Sequence, residues 1–183
     1  MSAISFGTPG MPKKTFKDGG FDLLTSPLAK VPCKLAPSAL VAPLAIKDGL
    51  FVAPSAVVGE EGHFVLASDA ERSLYLVFTG NTQVILGNPL PTDNYPGEER
   101  TDTVTGMLGS VVGIFPADRL TIGLVGGAAV ALSTYAANLP LTVKNGKLCP
   151  ANHGTNTGER VVAYVEFDSA QIGDNSIQVR TLG

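Results

Sequence analysis

One turn signal occurs twice in this chain, and it restricts the fold more than any other feature. Pro43-Leu44-Ala45-Ile46-Lys47-Asp48-Gly49 is echoed by Pro140-Leu141-Thr142-Val143-Lys144-Asn145-Gly146, with Pro, Leu, Lys and Gly at matching places. In each copy Asp-Gly or Asn-Gly follows an apolar-alternating run, and apolar residues resume after it. Both central residues of a two-residue hairpin turn take φ > 0, which Asn, Asp and Gly tolerate best, so each copy predicts a β-hairpin. The flanking segments correspond too. Gly62-His63-Phe64-Val65-Leu66 sits against Gly158-Glu159-Arg160-Val161-Val162, and Ser73-Leu74-Tyr75-Leu76 against Ser176-Ile177-Gln178-Val179. The expectation is a chain whose halves are similar β units.

The punctuation of the rest agrees. Pro27, Pro32, Pro37, Pro43 and Pro54 cut the apolar run between Leu23 and Val58. Proline lacks the N–H that helix interiors and sheet ladders need, which leaves edge strands and loops there. Strands are expected at 63–68, 73–79, 83–86 and 161–167, with a last one at 176–182. Two segments, 107–115 and 120–133, are apolar and glycine-rich; the latter carries Gly123, Gly126 and Gly127, which suit bulges or a tightly curved barrel. A single short helix is considered at 67–72 or 133–138. The fold class is therefore all-β: a short-stranded barrel or sandwich of two similar units with little helix. The divisions are an extended N-terminal arm at 1–22, a first β unit at 23–86, an irregular acidic loop at 87–106 and a barrel-like unit at 107–183.

The arm has neither helix nor strand periodicity, yet Phe6, Phe16 and Phe21 punctuate it beside Lys13 and Lys14. Such a segment cannot close a core alone, so its rings are expected to anchor on a neighbouring subunit. The loop gathers Glu98, Glu99 and Arg100 after Pro96-Gly97, and its length points to function or flexibility. Its carboxylates lack the alternating spacing of a calcium loop.

Catalytic chemistry finds little support. His63 and His153 neighbour no nucleophile motif, and Gly123-x-x-Gly126-Gly127 lacks the Gly-Lys-Ser/Thr ending of a phosphate-binding loop. Cys33 and Cys149 match no metal or redox spacing and read as buried thiols of a reducing compartment. No catalytic residue, metal site or cofactor is assigned. A net charge of −3 argues against nucleic acid as a partner, and the longest near-apolar run, 120–132, is too short for a membrane span.

The C-terminal third carries a resemblance. An apolar strand at 128–133 and Tyr135 lead to the Pro140–Ala151 hairpin segment, a polar turn at 154–158, Val161-Val162-Ala163-Tyr164-Val165-Glu166, and a closing Asp174-Asn175-Ser176-Ile177-Gln178-Val179-Arg180. This order resembles the small β-barrel domain of head decoration, or cement, proteins of tailed bacteriophages. The resemblance implies a non-enzymatic virion protein made in the host cytoplasm. It would sit on the outside of the mature head as a homotrimer and clamp major capsid protein subunits. By that analogy Phe6, Lys13, Lys14, Phe16, Phe21, Glu98, Glu99 and Arg100 are the expected partner contacts. A head-fibre base or tail component, and a non-enzymatic ligand- or carbohydrate-binding β module, are the alternatives.

Overall fold

The computed structural model describes residues 21–36, 46–70, 73–78, 84–85, 88–89, 103–153, 158–173 and 175–183. In chain order the strands are β1 (Asp22–Leu23), β2 (Ala29–Lys34), β3 (Phe51–Pro54), β4 (Phe64–Leu66), β5 (Tyr75–Val77), β6 (Val84–Ile85), β7 (Asn88–Pro89) and β8 (Thr103–Leu108). There follow β9 (Val112–Pro116), β10 (Gly123–Val125), β11 (Ala128–Val130), β12 (Pro140–Lys144), β13 (Lys147–Pro150), β14 (Ala163–Phe167) and β15 (Ser176–Thr181). A short α-helix, α1 (Ser169–Ile172), precedes the last strand. The protein is mostly β, with curled antiparallel sheets that include a half-barrel.

Two sheets dominate, and they have the same topology. One runs β2-β8-β5-β3-β4; the other runs β9-β15-β14-β12-β13, with β1 added outside β9. Ranked by chain order within each set, both sheets read first-fifth-fourth-second-third. Each also curls until its ends meet. Leu35, just past β2, bridges Phe64 of β4 in parallel, and Leu120, past β9, bridges Leu148 of β13 in the same sense. Ala36 N–H donates to Phe64 O at 2.9 Å, and Thr121 N–H to Leu148 O at 2.8 Å. Closing a sheet in this way covers edges that would otherwise invite pairing with other chains.

Finer details repeat as well. Gly49 N–H donates to Val77 O and Val77 N–H to Leu50 O; Asn138 N–H donates to Val165 O and Val165 N–H to Leu139 O. Leu50 N–H closes a turn on Lys47 O at 3.1 Å, and Leu139 N–H does so on Ala136 O at 3.1 Å. Ala67 N–H reaches Phe51 O, and Ala151 N–H reaches Pro140 O. Gly49 and Asn138 share a positive φ, 86° and 67°. The chain therefore holds two copies of one five-stranded module, the first from β2, β3, β4, β5 and β8, the second from β9 and β12 to β15.

The duplication runs in a different register from the sequence echo. Asn145-Gly146 does form the two-residue turn between β12 and β13, with φ of 49° and 73°. The Asp48-Gly49 turn, by contrast, precedes β3 and matches Ala137-Asn138. The echoed segments are thus one strand out of step, because Asp-Gly and Asn-Gly report a turn of suitable handedness rather than a place in the fold.

Other expectations shift for local reasons. The boundary expected at residue 107 falls inside β8, which pairs with β2 and β5, whereas β1 joins the second sheet through β9. β3 is a central strand despite the prolines around it, because Phe51–Ala53 are free of them. The helix lies at 169–172, where the Asp168 carboxylate accepts the Ala170 and Gln171 N–H groups and the Gln171 side chain answers the Asp168 N–H. The 67–70 segment is not helical, since Ala67 O and Ser68 O accept N–H groups of the β12–β13 turn instead. Near 133–138 there is only a 3-10 turn, Leu132–Thr134.

One core spans both modules, including Phe51, Leu76, Met107, Phe115, Tyr135, Leu141 and Ile177. A smaller one, built on Cys33, Leu35, Val52, Val77 and Val104, fills the first module.

Candidate functional site

The second module grips the first along a head-to-tail joint. The Asn145-Gly146 tip carries two backbone donors and an acceptor into the first module. Asn145 N–H donates to Ser68 O at 3.0 Å, Gly146 N–H to Ala67 O at 2.6 Å, and Gly146 O accepts Phe51 N–H at 2.9 Å. Beside it, Lys144 Nζ lies 2.7 Å from Asp69 Oδ1 and 2.9 Å from Glu159 Oε1. The Asp69 hydrogen bond, and then the Glu159 one, raise the Lys144 pKa. From the other side the buried Arg119 donates through Nε to Asp48 O at 2.6 Å, while its Nη1 pairs with Asp118.

Tyr135 closes the second module. Its ring is fully buried, and its hydroxyl donates toward Thr121 O (2.8 Å) and Leu148 O (3.0 Å), the two sides of the seam. Burial, foremost, pushes its phenol well above the ordinary range. In the first module the equivalent position is Ile46, three residues before Gly49 as Tyr135 is before Asn138; it packs half-buried on the smaller core.

The residues with catalytic potential are dispersed. Cys33 and Cys149 are buried free thiols in separate cores. Burial raises both, Cys149 to about 11. His63 Nδ1 and His153 Nε2 are buried without a hydrogen-bond partner. Among the described residues no group of three or more His, Cys, Asp or Glu is placed to hold a metal ion, and no helix is long and apolar enough to cross a membrane. A cleft of about 170 Å³ lies between the modules, lined by Phe51, Leu76, Met107, Arg160 and Val162.

Of the expected contact residues, Phe6, Lys13, Lys14, Phe16, Glu98, Glu99 and Arg100 lie outside the described residues. Phe21 corrects the expectation placed on it. Its ring is 6 % exposed and packs edge-on against Phe115 and Phe78 of its own chain, with centroids 4.7 and 5.8 Å away. It therefore anchors β1 to this chain's core, not to a neighbour.

Sequence reasoning did not single out the surface apolar residues. Val57 and Val58 cap the β3–β4 loop at 56 % and 93 % exposed, Leu124 stands out from the β10–β11 ribbon, and Tyr164 faces outward from β14. The signal available for the first pair was Val-Val set directly before Gly59-Glu60-Glu61-Gly62, an apolar pair at a turn. No family model, curated protein or solved structure matches the chain.

Proposed function

We propose that this is a virion structural protein of the head-decoration kind, which binds the outside of a mature phage head and holds neighbouring major capsid protein subunits together. The observation that supports it most is the duplicated, seam-closed β module. Two curled sheets locked head to tail by backbone hydrogen bonds form a stiff body, and stiffness keeps the ordering cost of docking small.

The mechanism needs no chemistry. A protein that spans a subunit boundary adds buried area, and stable interfaces bury roughly 1,200–2,000 Å². Binding the expanded shell in preference to its precursor stabilises the expanded state by mass action. Repetition over many equivalent sites multiplies a modest contact.

The test is copy number by quantitative mass spectrometry in gradient-purified virions. Abundance near that of the major capsid protein is expected. A few copies per particle would assign the chain to a fibre base or tail instead, and absence would overturn the virion reading.

A further inference from the structure

The joint between the modules is one-sided, and its counterpart stands open. The second module's hairpin tip docks on the corner of the first formed by Phe51, Ala67 and Ser68. By the repeated hydrogen bonds, that corner corresponds to Pro140, Ala151 and Asn152 in the second module. The adjoining outward pair Leu76 and Met107, cross-strand partners buried in the shared core, corresponds to Tyr164 and Arg180, also cross-strand partners. In the first module this face is covered by the second. In the second module Tyr164 is 41 % exposed, and the Arg180 side chain, paired with Glu166, is 52 % exposed.

The matching tip is open as well. In the first module the β3–β4 connection takes the place of the Asn145-Gly146 turn. Ser55 N–H donates to His63 O and Ser55 Oγ to Glu60 Oε2 within it, and it lifts Val57 and Val58 into solvent. A two-fold relation between the modules would have seated this loop on the second module of the same chain. It does not, so the relation is heterologous, and a heterologous contact left unsatisfied at both ends propagates to further copies.

We infer that the β3–β4 loop of one copy, led by Val57 and Val58, docks on the Pro140–Tyr164 face of a second copy, repeating between chains the joint made within each. The occupant is a second copy of this chain because that joint already shows how such a tip and such a face fit. The repeat is not atom for atom. Pro140 takes the place of Phe51 and offers no N–H, so one of the three backbone bonds is missing. The longer loop brings apolar side chains in its stead, and Tyr164 supplies a large amphipathic surface to receive them.

The experiment uses the purified full chain and two variants, Val58→Asp in the tip and Tyr164→Glu in the face, with circular dichroism to check folding. Both positions are exposed, so neither change touches the core. The wild type is expected to sediment as an assembly and each variant alone as a single chain. Mixed together the variants are expected to pair one to one, since one intact tip still meets one intact face. A wild type that stays a single chain at the highest attainable concentration overturns the inference. So does an assembly that either variant leaves unchanged, or a mixture of folded variants that fails to pair. The readout is on isolated protein, so its failure and that of the virion reading are separable.

Discussion

Gly146 and Phe51 meet backbone to backbone: the Phe51 N–H donates to Gly146 O at 2.9 Å, and a Cβ built on Gly146 would lie 3.1 Å from Phe51 O and 2.6 Å from Leu66 Cδ2. The tip of one module is thus seated so closely that a Cβ would make Leu66 shift and Phe51 O give way, at a φ of +73° that also favours glycine. Space and backbone conformation make separate demands here.

Those two demands can be pulled apart with a control. Gly59 also has a positive φ, +91°, but nothing lies within 4 Å of a Cβ placed there. Gly59→Ala should cost about 1–2 kcal/mol, the left-handed backbone term alone. Gly146→Ala adds overlap with Phe51 and Leu66 and should cost about 2–4 kcal/mol. Urea denaturation of both variants decides it; equal losses would mean the joint yields freely and is not a tight fit.

The polar contacts across the joint should differ in weight. Arg119 is buried and serves the part-buried Asp48 O, so Arg119→Ala removes a charged donor from that carbonyl and should cost about 1–3 kcal/mol. Asp69, whose side chain is 63 % exposed, pairs with Lys144 in water's reach, and Asp69→Ala should cost under about 1 kcal/mol. A larger loss for Asp69→Ala than for Arg119→Ala, in the same denaturation assay, would reverse the assignment of which contact fastens the modules.

Much of this architecture was legible in the residues, and the limits have physical causes. Proline spacing and turn dipeptides gave away an all-β chain of short strands, and Asn145-Gly146 turned where its chemistry said it would. The existence of two units was visible, but their register was not. The equivalence is carried by backbone bonds whose side chains have diverged, Gly49 against Asn138, Ile46 against Tyr135, Phe51 against Pro140. Phe21 read as an arm residue because its neighbours in sequence are polar. Its actual neighbours, Gly49 and Gly113, make room for its ring from far along the chain; a Cβ at Gly113 would lie 2.6 Å from Phe21 Cε2. The outward Val57, Val58 and Tyr164 could not be told from core residues by periodicity alone, since in a curled sheet either face can be covered.

Tyr135→Phe tests the seam. The ring stays and only the hydroxyl, one donor shared between Thr121 O and Leu148 O, is lost. A cost of about 1–3 kcal/mol is expected, with faster amide hydrogen exchange at Thr121, whose N–H crosses the same seam. Unchanged exchange at Thr121 would show that the hydroxyl does not hold the closure.

The buried thiols predict an alkaline weakness with a definite sign. Cys149 is fully buried, and burial, followed by the charge of Glu159, raises its pKa from 9.0 to about 11. In the unfolded chain the exposed thiol ionises from about pH 9 upward, while the native one stays protonated until about 11. Between these values the unfolded state binds fewer protons than the native state, so stability is complete below about 9 and declines as pH rises toward 11. Cys33 is raised in the same direction, and Tyr135, raised from 10.0, adds to the loss from about pH 10 upward. Cys149→Ala removes one titrating group and leaves the others, so its stability should fall less steeply over that window than the wild type's. Urea midpoints measured at several pH values across it, for both chains, give the comparison. Parallel curves would mean that the Cys149 thiol ionises as readily in the folded protein as in the unfolded chain.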